Sequence, residues 1–307
     1  MTGGPPKVGL VGVGLWGQYI LRDLMALGAE VHAAIRSEDS RLRAQRGGAA
    51  SIVEQIDALP SDCDGYIVAN ITTAHLDAVE VLLKRGRPLF VEKPLSNDLA
   101  RVRRLPPIAE KLVFTMHKWR YHPGIIALAQ IAAREEFGPV RGLRTYRLGW
   151  EHHHDDVSSL WVLLPHDLSI ALHIFGEVPR PVGAWSDPLT PHGDGVVARF
   201  LAVRDKVDFI AEISSGHLEK NRRVVLACRD AVCQLNDARY DRIAIKRRGD
   251  PADAPLEERV VDADLPLKAE LRIFLEHLRG GPPPMTGLAD EIRVIEAVTA
   301  IQDMMAS

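Results

Sequence analysis

The 307-residue sequence predicts an α/β protein in which a doubly wound parallel sheet is followed by a second domain built on a mostly antiparallel sheet. Three observations carry this expectation. A short aliphatic strand holding Val8, Leu10, Val11 and Val13 breaks into Gly12, Gly14 and Gly17, spaced G-x-G-x-x-G, and runs directly into a helical pattern of Tyr19, Ile20, Leu24 and Leu27 with Gly28 as its stop. Strand and helix patterns then alternate as far as Met116. From Val140 onward, strand patterns mostly follow one another across polar turns.

The totals narrow the range of ligands. An apolar share of 46% and a charged share of 26% are those of an ordinary globular chain. With 38 Lys and Arg against 41 Asp and Glu, the net charge of -3 makes no electrostatic case for nucleic acid or an anionic membrane. A small molecule is the expected partner. No segment has the ~20 apolar residues needed to span a bilayer. The three cysteines, Cys63, Cys228 and Cys233, form neither a disulfide framework nor a zinc spacing, so reduced thiols in a cytoplasmic protein are expected.

In the first turn, Gly12 allows a sharp exit from the strand, Gly14 lets backbone N–H groups close on a pyrophosphate, and Gly17 lets the helix sit against the sheet. Leu15 and Trp16 fill the intervening positions. Such a turn also presents a helix N-terminus to an anion, so the first domain reads as a dinucleotide-binding Rossmann domain. Residues 30–35 form the second strand. Where NAD-binding chains carry an acid for the ribose hydroxyls, this one has Arg36 and Ser37. A guanidinium and a hydroxyl suit a 2′-phosphate, so NADP is preferred over NAD. The alternative is that Glu38 or Asp39 holds the ribose and Arg36 is a solvated charge.

Residues 51–59 read as a short crossover and 65–69 as a strand. Asn70, Thr72 and His75 follow at a carboxyl end that faces the nucleotide in a doubly wound sheet, and are candidate cofactor contacts; helix capping is the competing role of the threonine. A strand at 88–91 leads into Glu92-Lys93-Pro94, where a proline-fixed turn holds an ammonium in position to stabilise an oxyanion. Residues 97–112 read as one or two helices interrupted at Pro106-Pro107. The strand at 113–116 ends in His117-Lys118-Trp119-Arg120-Tyr121-His122-Pro123.

Taken together, the glycine loop, Glu92-Lys93-Pro94, Arg120-Tyr121-x-Pro123, His166-Asp167-Leu168 and Pro266-Leu267-Lys268-Ala269-Glu270-Leu271 resemble the Gfo/Idh/MocA family of oxidoreductases in order and spacing. The resemblance implies a Rossmann domain followed by a C-terminal α/β domain with an open, mostly antiparallel sheet, which often forms the subunit interface. A homodimer or homotetramer through that sheet is therefore expected. It also implies NAD or NADP as cofactor and a sugar, cyclitol or related alcohol as substrate. Residue by residue, it implies Glu92 near the nicotinamide ribose, Lys93 at the reacting centre, Arg120 lining the cleft and His166 as acid/base. The domains are expected at residues 1–120 and 121–307, with the C-terminal helix free to pack back on the first.

In the second half, strands are expected at 140–150, 196–200, 207–213, 223–226, 231–235 and 242–245, and amphipathic helices at 270–278 and 291–304. Glu151-His152-His153-His154-Asp155-Asp156 invites a metal, but consecutive residues point in different directions, so none is expected and the stretch reads as a solvated or substrate-lining loop. Residues 158–175 are helical. Pro165 either kinks one helix or starts a second, and in the second case His166 lies near a helix N-terminus that disfavours imidazolium. Here the chain departs from the family, many of whose members carry an aspartate one turn before this histidine; Val162 stands there and can carry no proton. Tyr121, His152 and Asp156 are candidates to take its place at the substrate.

The expected activity is hydride transfer between a nicotinamide and a carbinol or carbonyl carbon of a sugar-like substrate, with reduction of a keto-sugar favoured. Lys93 would stabilise the alkoxide and His166 relay the proton. A non-catalytic nucleotide or sugar sensor is the rival reading, favoured by Val162, and an imine reductase on the same scaffold is a third.

Overall fold

The computed structural model describes residues 4–150, 156–187, 195–236, 241–262 and 264–306. The chain forms two units, Met1–Lys118 with Leu267–Ile292, and Trp119–Pro266 with Arg293–Ser307.

The first unit begins β1 (Lys7–Val11), α1 (Gly17–Ala26), β2 (Glu30–Ala34), α2 (Glu38–Arg46) and β3 (Ser51–Val53). It continues β4 (Gly65–Val68), α3 (His75–Leu83), β5 (Leu89–Glu92), α4 (Leu99–Val102), α5 (Ala109–Leu112) and β6 (Val113–Met116). All six strands are parallel, in the order β3-β2-β1-β4-β5-β6. The chain winds outward from β1 through β2 to β3 and then returns to lay β4 on the other side of β1. The β1/β4 boundary is therefore the switch point, where the carboxyl ends of a doubly wound sheet open a crevice for ligands. Strands β4, β5 and β6 are buried on both faces, which is why they read as short apolar runs with little alternation. Ile20, Leu21 and Leu24 of α1 share a core with Val8, Leu10, Phe90 and the late-sequence Leu267, Leu271 and Phe274. Phe90 and Phe274 stack at 5.0 Å. The short strand β3 replaces the crossover expected at 51–59: three half-buried residues on a sheet edge leave too little pattern to read.

The second unit contains α6 (Pro123–Ala133), β7 (Val140–Trp150), α7 (Ser159–Phe175), β8 (Arg180–Asp187), β9 (Gly195–Ala202) and β10 (Val207–Ser214). Then come β11 (Gly216–Cys228), β12 (Ala231–Leu235), β13 (Arg242–Arg247) and β14 (Glu257–Val260). The helices α8 (Pro266–Leu278) and α9 (Leu288–Ala306) end the chain. The eight strands lie in the order β14-β13-β12-β11-β7-β10-β9-β8, open at both edges. Every pairing is antiparallel except β10 with β7, so the sheet is mixed but mostly antiparallel. Phe209 and Phe200, cross-strand partners, stack at 5.0 Å in its core. The edge strands β8 and β14 were not expected. One carries Pro181 and Gly183 and the other is largely charged, and both features are tolerated where one side of a strand is unpaired. Helix α6, also unexpected, starts on Pro123 at its first turn, with His122 Nδ1 accepting from Gly124 N–H at 3.0 Å. No described helix is long and apolar enough to cross a membrane.

Candidate functional site

In the first unit, the carboxyl ends of β1, β2, β4, β5 and β6 carry the glycine turn, Arg36, Asn70, Lys93 and His117 in turn. Gly12 has φ +91°, and a Cβ there would lie 2.7 Å from Ala69 O and Asn70 N. A Cβ on Gly17 would come within 2.3 Å of Gly12 O. These two positions are closed to any side chain. Gly14 is different, since a Cβ there would meet nothing within 4 Å. Helix α1 begins with no side-chain cap and no acid in its first turn, leaving the positive end of its dipole to an outside anion. Leu15 is 67% exposed and Trp16 36%. The turn is thus rigid beneath and open above, which fits a dinucleotide diphosphate.

At the end of β2, Arg36 is exposed and, among the described residues, has no hydrogen-bond or ion-pair partner. The nearby acid Glu38 is engaged with Arg41, 3.4 Å away, and Arg41 also meets Glu54 at 3.0 Å. Ser37 caps α2 by accepting from Ser40 N–H at 3.3 Å. Asn70 donates from Nδ2 to Ala74 O at 3.2 Å, while its buried Oδ1 has no partner among the described residues, so an acceptor is left at the switch point. Thr72 is buried. His75 is buried too, with Nδ1 2.9 Å from Pro94 O and Nε2 3.1 Å from Asn70 O, so both ring nitrogens face main-chain carbonyls and the neutral ring donates to one of them.

The Glu92 carboxylate accepts from the Trp16 indole N–H on one oxygen and from Lys93 N–H, at 3.0 Å, on the other. Burial pushes this carboxyl up, opposed by the charge of Lys93, the Trp16 bond and Lys118. Lys118 places its ammonium 4.2 Å from the centre of the Trp16 ring. Lys93 itself is half-buried. Beyond it, Leu95 N–H donates to Glu291 at 3.0 Å, and the other Glu291 oxygen meets His117 Nε2 at 2.6 Å. Glu270 of α8 is also fully buried; burial, and then the charge of Glu92, raise its carboxyl well above the ordinary range.

In the second unit, α7 is one continuous helix with Pro165 inside it. The reading in which Pro165 starts a new helix is therefore overturned, and with it the argument that a helix N-terminus keeps His166 neutral. The lost N–H at Pro165 is tolerated because the flanking turns are packed. His166 is half-buried. Its carbonyl accepts from Ser169 Oγ at 2.7 Å. The next residue, Asp167, is bound in a two-bonded pair with Arg147 of β7, at 3.0 and 3.1 Å, whose guanidinium also lies 4.7 Å from the Trp119 ring. Val162, one turn before His166, is half-buried. His173 is held down to about 4 by burial and by the charge of Arg120. Arg120 and Asp156 are half-buried and Tyr121 is buried. His152 and its neighbours 151–155 lie outside the described residues.

Lys118, Glu291 and the Arg147–Asp167 pair were not singled out from sequence, and Glu270 only as part of a motif. One signal was available: Glu270 falls in phase with Leu267, Leu271 and Phe274, and Glu291 with Leu288, Val294 and Ile295, so each helix carries an acid on its apolar stripe.

Comparison with known proteins agrees with this fold. Residues 6–116 match the family described as an oxidoreductase family with an NAD-binding Rossmann fold. The family matched over that N-terminal segment is Gfo/Idh/MocA. It is 32% identical over 146 residues to a myo-inositol dehydrogenase of Streptomyces leeuwenhoekii, covering 45% of this chain and 44% of that protein. It is 30% identical over 145 residues to an inositol 2-dehydrogenase of Paracoccus denitrificans, covering 44% and 43%. The matched segment is thus less than half the length of either curated relative. The fold of the whole chain resembles that of a UDP-N-acetylglucosamine 3-dehydrogenase from Acidithiobacillus ferrooxidans, with a TM-score of 0.82 at 22% identity over 98% of each chain. A 3-ketoreductase from Actinomadura kijaniata, in complex with TDP-benzene and NADP, gives 0.85 at 18% identity over 98% of each chain. A levoglucosan dehydrogenase in complex with NADH and levoglucosan gives 0.83 at 15% identity, covering 98% of this chain and 97% of that one. At these identities the likeness is one of fold, and it extends over nearly the whole chain.

Proposed function

We propose that this protein is an NADP-preferring oxidoreductase of the Gfo/Idh/MocA family acting on a CH–OH group, or the corresponding ketone, of a sugar-like or cyclitol substrate, with keto-sugar reduction favoured. When bound, the nicotinamide supplies the hydride chemistry. The observation that carries the reading is the row of groups at the carboxyl ends of the first sheet: an open, uncapped glycine turn, a guanidinium at Arg36 with no partner among the described residues, and a braced lysine turn at Lys93. The turn over Gly12, Gly14, Leu15, Trp16 and Gly17 would hold the diphosphate, with Asn70 and Thr72 beside it and Glu92 at the ribose. Arg36 and Ser37 would hold the 2′-phosphate. Lys93 would stabilise the substrate oxygen as its charge develops, and His166 would give or take the proton at that oxygen. Arg120, Tyr121, His152 and Asp156 would bind substrate hydroxyls. The proposal includes a cytoplasmic location and a homodimer or homotetramer assembled through the second sheet, where Arg144 and Arg223 flank Tyr146 at 5.0 and 4.3 Å.

Nucleotide titration and turnover test this reading. NADPH should bind more tightly than NADH, and Arg36→Asp should reverse that order; equal affinity of the unaltered protein for both refutes the preference. With a panel of keto- and hydroxy-sugars, Lys93→Met should lower turnover by about 10²-fold or more while NADPH still binds. A protein that binds NADPH and turns over no member of the panel is a sensor.

A further inference from the structure

The geometry points to Glu291, acting with His117, as the positioning residue for Lys93; the inference rests on the role proposed for Lys93. Glu291 and His117 are fully buried. Burying an acid is costly unless its oxygens are used, and both oxygens of Glu291 are spent beside one turn. One accepts from Leu95 N–H, two residues past Lys93, at 3.0 Å, and the other accepts from His117 Nε2 at 2.6 Å. His117 immediately follows β6, whose Met116 pairs with Glu92 at the end of β5. The chain is therefore held just before Lys93 by the strand ladder and by Glu92 accepting from Lys93 N–H. Just after it, His75 holds Pro94 O at 2.9 Å and Glu291 holds Leu95 N–H. Leu95 and Glu291 are 196 residues apart, so this bond ties the turn to a distant helix instead of serving local capping. A carboxylate with two fixed acceptors holds both groups in one geometry, which is what pre-organising a charged side chain requires.

The test compares the full chain with Glu291→Ala, Glu291→Gln, Lys93→Met and the double variant Lys93→Met/Glu291→Ala. The nucleotide-free proteins are acetylated with acetic anhydride and the rate at Lys93 is read by peptide mass spectrometry against the other lysines. Glu291→Ala should change the Lys93 rate by about threefold or more, as when an ammonium moves within a carboxylate's field, and leave the other lysines unchanged. It should lower turnover by about tenfold, with the NADPH Kd within about twofold, and Glu291→Gln, which keeps an acceptor for Leu95, should recover part of the loss. The double variant should be no slower than Lys93→Met alone. An unchanged Lys93 rate, or additive losses in the double variant, overturns the inference. If Glu291→Ala proves too unstable to purify, His117→Gln carries the same labelling test with the same two outcomes. Unchanged turnover in Lys93→Met refutes the proposed function, and the labelling result still decides the positioning role.

Discussion

Replacing Asp167 with Asn should be among the most damaging near-isosteric changes available in the second unit. The Asp167 and Arg147 side chains are 1% and 5% exposed and joined by two bonds of 3.0 and 3.1 Å. An amide keeps the volume and one acceptor but leaves the guanidinium charge buried against the Trp119 ring. Removing one member of such a pair costs about 3–5 kcal/mol. At roughly 2–4 °C per kcal/mol for a domain of this size, the melting temperature should fall by about 6–20 °C. Scanning calorimetry of Asp167→Asn measures the cost directly. The control is Arg147→Met with Asp167→Leu, which removes both charges at similar volume and should restore most of the loss. Because His166 precedes Asp167 on the same helix, turnover per folded molecule should fall in Asp167→Asn as well. A shift below about 2 °C, or a double variant no more stable than the single one, would show that the pair does not anchor α7 to β7.

Further predictions concern the first unit. Glu270 has a raised folded-state carboxyl, so it stays protonated in the folded chain at pH values where the unfolded chain has released its proton; stability from this group is therefore lost as pH rises from the ordinary value of 4.5 toward the folded one. Glu270→Gln should accordingly raise the melting temperature at pH 7 and change it little near pH 4, and calorimetry across that range would reject the argument if the difference did not grow with pH. Gly17→Ala should destabilise the chain by about 1–3 kcal/mol, because its Cβ meets Gly12 O at 2.3 Å. Gly14→Ala should leave the melting temperature nearly unchanged yet weaken NADPH binding, since the only space it fills is open; equal effects of the two glycine changes on both readouts would contradict the diphosphate cradle.

Much of the first unit was legible because its signals are local. Gly12 is marked by its positive φ in the turn and Gly17 by its approach to Gly12 five residues earlier, and the Glu92-Lys93-Pro94 turn follows an uninterrupted apolar strand. The second sheet was read as a run of strands but not in its order or its parallel β10–β7 pair, because alternation gives a strand its faces and says nothing of its neighbours. Strands β8 and β14 went unread because edge positions tolerate proline, glycine and charge.

By itself the sequence determined the class of fold, the glycine turn, the lysine turn and the cationic residue at the end of β2, since each depends on residues adjacent in the chain. The three-dimensional packing decided what those groups touch. It joined Trp16 to Glu92, set Glu270 under the influence of Glu92, sent Glu291 to Leu95 and His117, and used Asp167 to hold Arg147. The hydrogen bonds among these each join a buried polar group to a partner at least 20 residues away along the chain. Burial makes such partners obligatory, but only the folded chain determines which they are.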